Sequence, residues 1–154
     1  FAPARKRIDV GAFLYEVAER FKEEAAGRGS PIILQAREAF ISADPGLLER
    51  AVGNLVSNAI KYGVPGGSIR LLGLQDAGSG KTEMIVENEG AIDPQILPHV
   101  FDRLFRGDGS RNTEGSGLGL SIAQAIAKAH GGNIQAVSDP DANRTRFIVA
   151  LPPG

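Results

Sequence analysis

Along this chain the β-favouring runs come two at a time, and stretches with apolar residues at three-and-four spacing separate the pairs. The first helical stretch, 9 to 27, sets Val10, Phe13, Leu14, Val17 and Phe21 on one stripe, with Asp9 as N-cap and Gly27 near its end. PIILQA and AFISA follow, separated by the polar Arg37-Glu38, which suits a strand pair or hairpin. Asp44-Pro45 supplies an N-cap and a first-turn proline for a helix running to about Tyr62, where GVPGG breaks it. SIRLLGL (68 to 74) and TEMIVEN (82 to 88) form a second strand pair across the glycine-rich QDAGSGK, and residues 92 to 105 contain a short helix. After the polar RGDGSRNTEGSG (106 to 117), read as a mobile loop, a helix from Leu118 to His130 leads into the strands NIQAVS and RFIVALP.

Strands grouped as neighbours between helices argue against a parallel βαβ array. They predict an α+β fold: a two-layer α/β sandwich whose mixed, mostly antiparallel sheet is packed on one face by helices, leaving the other face solvated. At 154 residues, 42% hydrophobic, the chain supports one core and one domain. A net charge of −1 with scattered basic residues gives no pull towards nucleic acid or a membrane surface, so any anion site must be local. The absence of cysteine removes disulfides and thiolate zinc sites, and no apolar run approaches a membrane span. Residues 1–8 read as a linker remnant ahead of a domain spanning 9–154, as if cut from a longer chain.

Three polar constellations stand out against this apolar framework. On the helix 45 to 62, Asn54, Asn58 and Lys61 recur at i, i+4 and i+7 on one face, with Tyr62 at its edge. Asparagine inside a helix costs stability because its amide competes for backbone bonds. The face is either solvated or a site for magnesium-bound phosphate, where an amide oxygen completes an octahedral ion and lysine adds charge. Gly115, Gly117 and Gly119 stand where the last helix begins. They suit a backbone closing over phosphate at a helix N-terminus, or equally a flexible hairpin. The G-x-G-x-G spacing lacks a preceding strand and so fails the Rossmann fingerprint; GK[ST] at the P-loop interval is absent too. Finally, VENEGAID sets Asn88 beside Gly90 at a strand end, as an ordinary turn does and as a nucleobase pocket needs.

Taken in order, NLVSNAIKYG resembles the N-box, VENEGAID a G1 box, FDRLFR the F-box and GSGLGLSIAQAIAKAHGG the G2 box of sensor histidine kinases, and TRFIVALP resembles their closing strand. The match runs from about residue 8 to the end. It implies the Bergerat-type ATP-binding fold shared with gyrase, Hsp90 and MutL ATPases, and the cofactors ATP and Mg2+. By the same resemblance Asn58 is the magnesium ligand with Asn54 assisting, Lys61 contacts phosphate and Tyr62 flanks the nucleotide. Asn88, Gly90 and Ile92 hold the base. Arg103 and Arg106 reach the γ-phosphate, and Gly115, Gly117, Leu118 and Gly119 hinge and cradle an ATP lid at about 106–117. The implied partners are the dimeric helical domain that carries the phosphoacceptor histidine and, after it, a response-regulator receiver domain. The parent is expected to be anchored in a bacterial inner membrane with this domain in the cytoplasm. V-x-N-x-G followed by FDRLFRGDGSR further resembles a subgroup of kinases that sense heavy metals such as copper.

Two departures bear on this reading. The G1 box usually reads D-x-G-x-G, whereas this chain has asparagine for the aspartate and lacks the second glycine. A hydrogen bond of roughly 1.5 to 3 kcal/mol to a charged acceptor becomes one of roughly 0.5 to 1.5 to a neutral one. Neither His99 nor His130 lies in the H-E-[LIF] context of a phosphoacceptor, so both read as structural, and the chain alone is expected to bind ATP without phosphorylating itself. A nucleotide-binding docking module without transferase activity is the first alternative. A gyrase- or Hsp90-type ATPase is the second, although the position of its water-activating glutamate is occupied by Asn54.

Overall fold

The structure is a computed structural model that describes residues 2–102 and 119–153. Three helices, α1 (Val10–Ala26), α2 (Pro45–Tyr62) and α3 (Gly119–Ala129), pack on one face of a sheet. The five strands of that sheet run in the order β2 (Ile32–Ala36), β4 (Ile69–Gln75), β5 (Thr82–Glu89), β7 (Arg144–Leu151), β6 (Asn133–Asp139). Only β2 and β4 pair in parallel; the other three ladders are antiparallel, so the sheet is mixed and mostly antiparallel as expected.

Both predicted caps form. Asp9 Oδ1 accepts from the Ala12 N–H at 3.2 Å and Asp44 Oδ1 from that of Leu47 at 3.2 Å, satisfying donors that the first helical turn leaves open. The apolar stripes then meet the sheet: Leu14, Val17, Leu48, Val52, Leu55 and Ile126 lie against Ile69, Leu71, Met84, Val86, Ile134, Phe147 and Val149, all buried. Each such side chain contributes about 1.5–3 kcal/mol on leaving water. The middle helix, α2, packs on both α1 and α3. Its polar face is thereby held at a fixed height above the sheet.

The expected hairpin of PIILQA with AFISA does not form. β2 joins β4 in parallel, Ile32 opposite Ile69, while β3 (Phe40–Ala43) pairs antiparallel with β1 (Lys6–Asp9) in a separate two-stranded sheet. The residues between them turn the chain outward: the Arg37 N–H donates to Gly73 O at 3.1 Å, and Ala39 O accepts from the Val10 N–H at 2.9 Å. β1 therefore draws most of its residues from the stretch read as linker. Its short, exposed sequence KRID carries almost no strand signal until β3 is beside it. The outer sheet face is also more than solvated. Ile33, Leu74 and Val137 are about 40% exposed there, yet Ile85 and Glu87 at its centre are 3% and 1% exposed, covered by their neighbours.

Candidate nucleotide site

The i, i+4, i+7 pattern places Asn54, Asn58 and Lys61 half-buried along α2, with Tyr62 half exposed at its end. From Asn54 to Tyr62 the face runs roughly 12 Å along the helix axis. The two asparagines differ in their bonding. Asn54 Nδ2 donates to Gly119 O at 2.9 Å, tying the middle of α2 to the first turn of α3. The Asn58 amide makes no hydrogen bond among the described residues, so its oxygen remains available to an ion.

At the C-terminal end of α2 the chain passes close to β5. Gly63 leaves no room for a side chain, since a Cβ there would lie 2.5 Å from Ala59 O and 3.3 Å from Asn88 Nδ2. This approach sets Asn88 next to the end of the helix that bears Tyr62. Asn88 is 7% exposed and lies in register between Ile69 and Thr145; its Nδ2 donates to Glu89 O at 2.9 Å. Gly90 follows with φ +115°, a conformation that side chains rarely adopt, and it is braced on both sides. Its N–H donates to Asn143 O at 2.6 Å and its carbonyl accepts from Thr145 Oγ1 at 2.7 Å. Ile92 packs against the core, and its N–H donates to Ser138 Oγ at 2.7 Å. Val64 N–H to Glu89 O at 2.9 Å and Ser68 N–H to Glu89 Oε2 at 2.7 Å fasten the loop after α2 to the same strand end.

The fold thus sets Asn54, Asn58, Lys61 and Tyr62 along one face of α2, with Gly119 bonded to Asn54 at mid-helix and Asn88 and Gly90 beside the residues that follow Tyr62; Ile92 continues from that strand end. Arg103, Arg106, Gly115, Gly117 and Leu118, and the expected lid at 106–117, lie outside the described residues. Reading the sequence missed Thr145, Ser138 and Glu89, which shape the strand end; Glu89 lies within VENEGAID, whereas Thr145 and Ser138 stand outside the N-box and G1 stretches. Thr145 was discernible only as a polar residue at an inward position of the closing strand. Of the two histidines, His130 is 1% exposed and bonded through both ring nitrogens, and the exposed His99 places its Nδ1 2.9 Å from Asp102 Oδ2.

The donor chemistry suits a magnesium nucleotide better than a bare metal ion. Among the described residues no group of three or more His, Cys, Asp or Glu side chains could hold a metal. An ion at this face would take the neutral Asn58 oxygen together with phosphate oxygens and water, as magnesium does. Lys61 brings positive charge to the same face, and the N-terminus of α3 adds backbone donors and a positive dipole end with no acidic residue in its first turn.

A family profile described as histidine kinase-, DNA gyrase B-, and HSP90-like ATPase matches residues 43–154. The sensor histidine kinase CusS of Escherichia coli (strain K12) is 37% identical over 153 residues, covering 97% of this chain and 31% of that protein. The sensor-like histidine kinase SenX3 of Mycobacterium tuberculosis (strain ATCC 25618 / H37Rv) is 35% identical over 153 residues, 97% of this chain and 37% of its own length. Among solved structures, the mycobacterial sensor histidine kinase MprB superposes with a TM-score of 0.84 at 28% identity, covering 96% of this chain and 97% of that one. The chain spans about a third of the length of the curated relatives it matches.

Proposed function

Because this chain belongs to the histidine kinase-, DNA gyrase B-, and HSP90-like ATPase family and shares the catalytic-domain fold of sensor histidine kinases, we propose that it binds Mg-ATP and donates the γ-phosphoryl group to a histidine on a separate helical domain. The observation that carries this reading is the polar face of α2, running from Asn54 to Tyr62 and ending against the Asn88–Gly90 strand end. In this reading Asn88, Gly90 and Ile92 receive the base. Tyr62 flanks it, Lys61 meets phosphate, and Asn58 holds magnesium with Asn54 beside it. Magnesium, when bound, neutralises phosphate charge. Arg103 and Arg106 of the F-box and the glycines at 115, 117 and 119 complete the phosphate end.

Phosphoryl transfer needs positioning and charge rather than covalent chemistry from the protein. The bond between the γ-phosphorus and the β,γ-bridging oxygen breaks, a new one forms to an imidazole nitrogen of the helical domain, and ADP leaves. A receiver-domain aspartate of a response regulator takes the phosphoryl group next. The parent is read as a membrane-anchored kinase of the metal-sensing subgroup with this domain in the cytoplasm, a reading that the likeness to the sensor histidine kinase CusS supports. Among the described residues no helix is long and apolar enough to cross a membrane.

Titrating a non-hydrolysable ATP analogue with magnesium into the wild type and Asn58→Ala tests the site. Submillimolar or tighter binding that weakens in the variant supports it, and absence of binding to the wild type at millimolar nucleotide overturns it. Transfer is tested by adding the helical domain in trans: the chain alone stays unphosphorylated, and a folded acceptor gains phosphohistidine. A second reading, a docking module that binds nucleotide without transfer, draws on Asn88, whose amide replaces a carboxylate and already donates to Glu89 O. Tight nucleotide binding with no transfer to a folded acceptor would favour it.

A further inference from the structure

α2 and α3 are joined by hydrogen bonds at two places far apart along their lengths. At one, Asn54 Nδ2 donates to Gly119 O at 2.9 Å. At the other, the N–H of Asp44, the N-cap of α2, donates to His130 Nε2 at 3.0 Å, and His130 Nδ1 donates to Ile126 O at 2.8 Å. This pattern requires the neutral imidazole with its proton on Nδ1, since Nε2 acts as acceptor. Asp44 is itself held, its Oδ1 accepting from Leu47 N–H and its Oδ2 from Ala4 N–H at 2.9 Å. His130 is 1% exposed, and buried Ala51, Leu55, Ala123, Ile126 and Ala127 fill the space along the two helices.

Packing alone fixes the distance between two helices better than their register, because apolar contacts carry little directional preference. A directional bond at the far end of α3 removes that freedom. We propose that His130 is a positioning residue for the phosphate end of the nucleotide site: by anchoring the last turn of α3 to the N-cap of α2, it sets the height of Gly119 against Asn54 and Asn58. The adenine end is built on β5, β7 and the loop after α2, and does not pass through this clasp. The inference rests on the nucleotide reading above and adds to it a residue that touches no ligand.

The split between the two ends supplies the test. Adenosine engages only the base end, whereas a non-hydrolysable ATP analogue with magnesium engages both. His130→Leu removes the acceptor while retaining bulk, and it should weaken the ATP analogue about five- to tenfold, the size of one hydrogen bond, with adenosine affinity unchanged. His130→Gln, whose carbonyl and amide can replace both bonds, should restore most of the loss. Equal weakening of both ligands, or of neither, overturns the proposal. A second measurement holds even if His130→Leu fails to fold. Coupling is reciprocal, so in the wild type the ATP analogue should slow hydrogen exchange of the Asp44 N–H and adenosine should not; equal protection by the two counts against the clasp. Failure of the nucleotide reading looks different: the wild type then binds neither ligand, and the clasp has no phosphate end to position.

Discussion

At the scale of single residues, Glu87 departs furthest from what its type leads one to expect. It sits on the outer sheet face in register with Arg70 and Arg146, and it is 1% exposed. Arg144 Nη1 donates to its Oε1 at 2.8 Å, Arg146 Nε to its Oε2 at 2.7 Å, and Arg70 Nη1 lies 3.8 Å away. Burial pushes the carboxyl upward, but the hydrogen bonds and charges of Arg144 and Arg146 together outweigh it and hold the group below its ordinary value of 4.5. The unfolded chain then binds more protons than the folded one in the acid range. The stability Glu87 contributes is complete above the unfolded value and is lost as pH falls through the folded value. Glu87→Gln should cost about 1–2 kcal/mol at pH 7, less than a fully buried broken pair because the arginines reach water. Urea unfolding across pH 3 to 7 should show the variant and wild type converging at the acid end. Asp44 and Asp76, held low by donors from Ala4 and Leu47 and from Ser79 respectively, titrate alike in both proteins and cancel in the difference.

Elements turn on how closely they approach one another, and two glycines measure this with opposite signs. Gly53 lies within α2, where glycine costs roughly 0.5–1 kcal/mol relative to alanine. A Cβ there would reach Arg20 Nη1 and Phe21 Cε2 at 3.4 Å, the near edge of ordinary contact, and of the two the exposed Arg20 can move aside. Gly53→Ala should therefore stabilise by about 0.5 kcal/mol or slightly more. Gly73 on β4 faces α1, and a Cβ there would lie 2.9 Å from Val10 Cγ1 and 3.2 Å from Leu14 Cδ1. Val10 is β-branched and fully buried, so it cannot yield by rotating. Gly73→Ala should destabilise by about 1–3 kcal/mol. Denaturant unfolding of the two variants side by side tests both signs, and a stabilised Gly73→Ala would mean that α1 sits farther from the sheet than described.

Across the whole molecule, nucleotide binding and folding are linked. A ligand that binds only the folded chain at a hundred times its dissociation constant adds about 2.7 kcal/mol. For a domain near 150 residues this raises the melting temperature by roughly 5–10 °C. Mg-ATP analogue should produce such a shift in the wild type. Asn58→Ala at the same nucleotide concentration should give a smaller one, and an unchanged shift would remove Asn58 from the site.

Local elements and the polar face of α2 were legible in the chain alone. Period-3.6 stripes located α1 and α2, Asp9 and Asp44 announced their N-caps, and the i, i+4, i+7 spacing placed Asn54, Asn58 and Lys61 on one side of α2 before any neighbour was known. Such patterns are legible because side-chain direction follows from backbone geometry within a few residues. Long-range pairing, by contrast, sent β2 across to β4 instead of back on β3 and made a strand of KRID. It also decided that Glu87 would be covered on the outer face, and that His130 would meet Asp44, 86 residues away, as Gly119 meets Asn54 across 65. Periodicity reports which way a residue faces; what it faces depends on pairings between distant segments, which exist only once the helices have closed over the sheet.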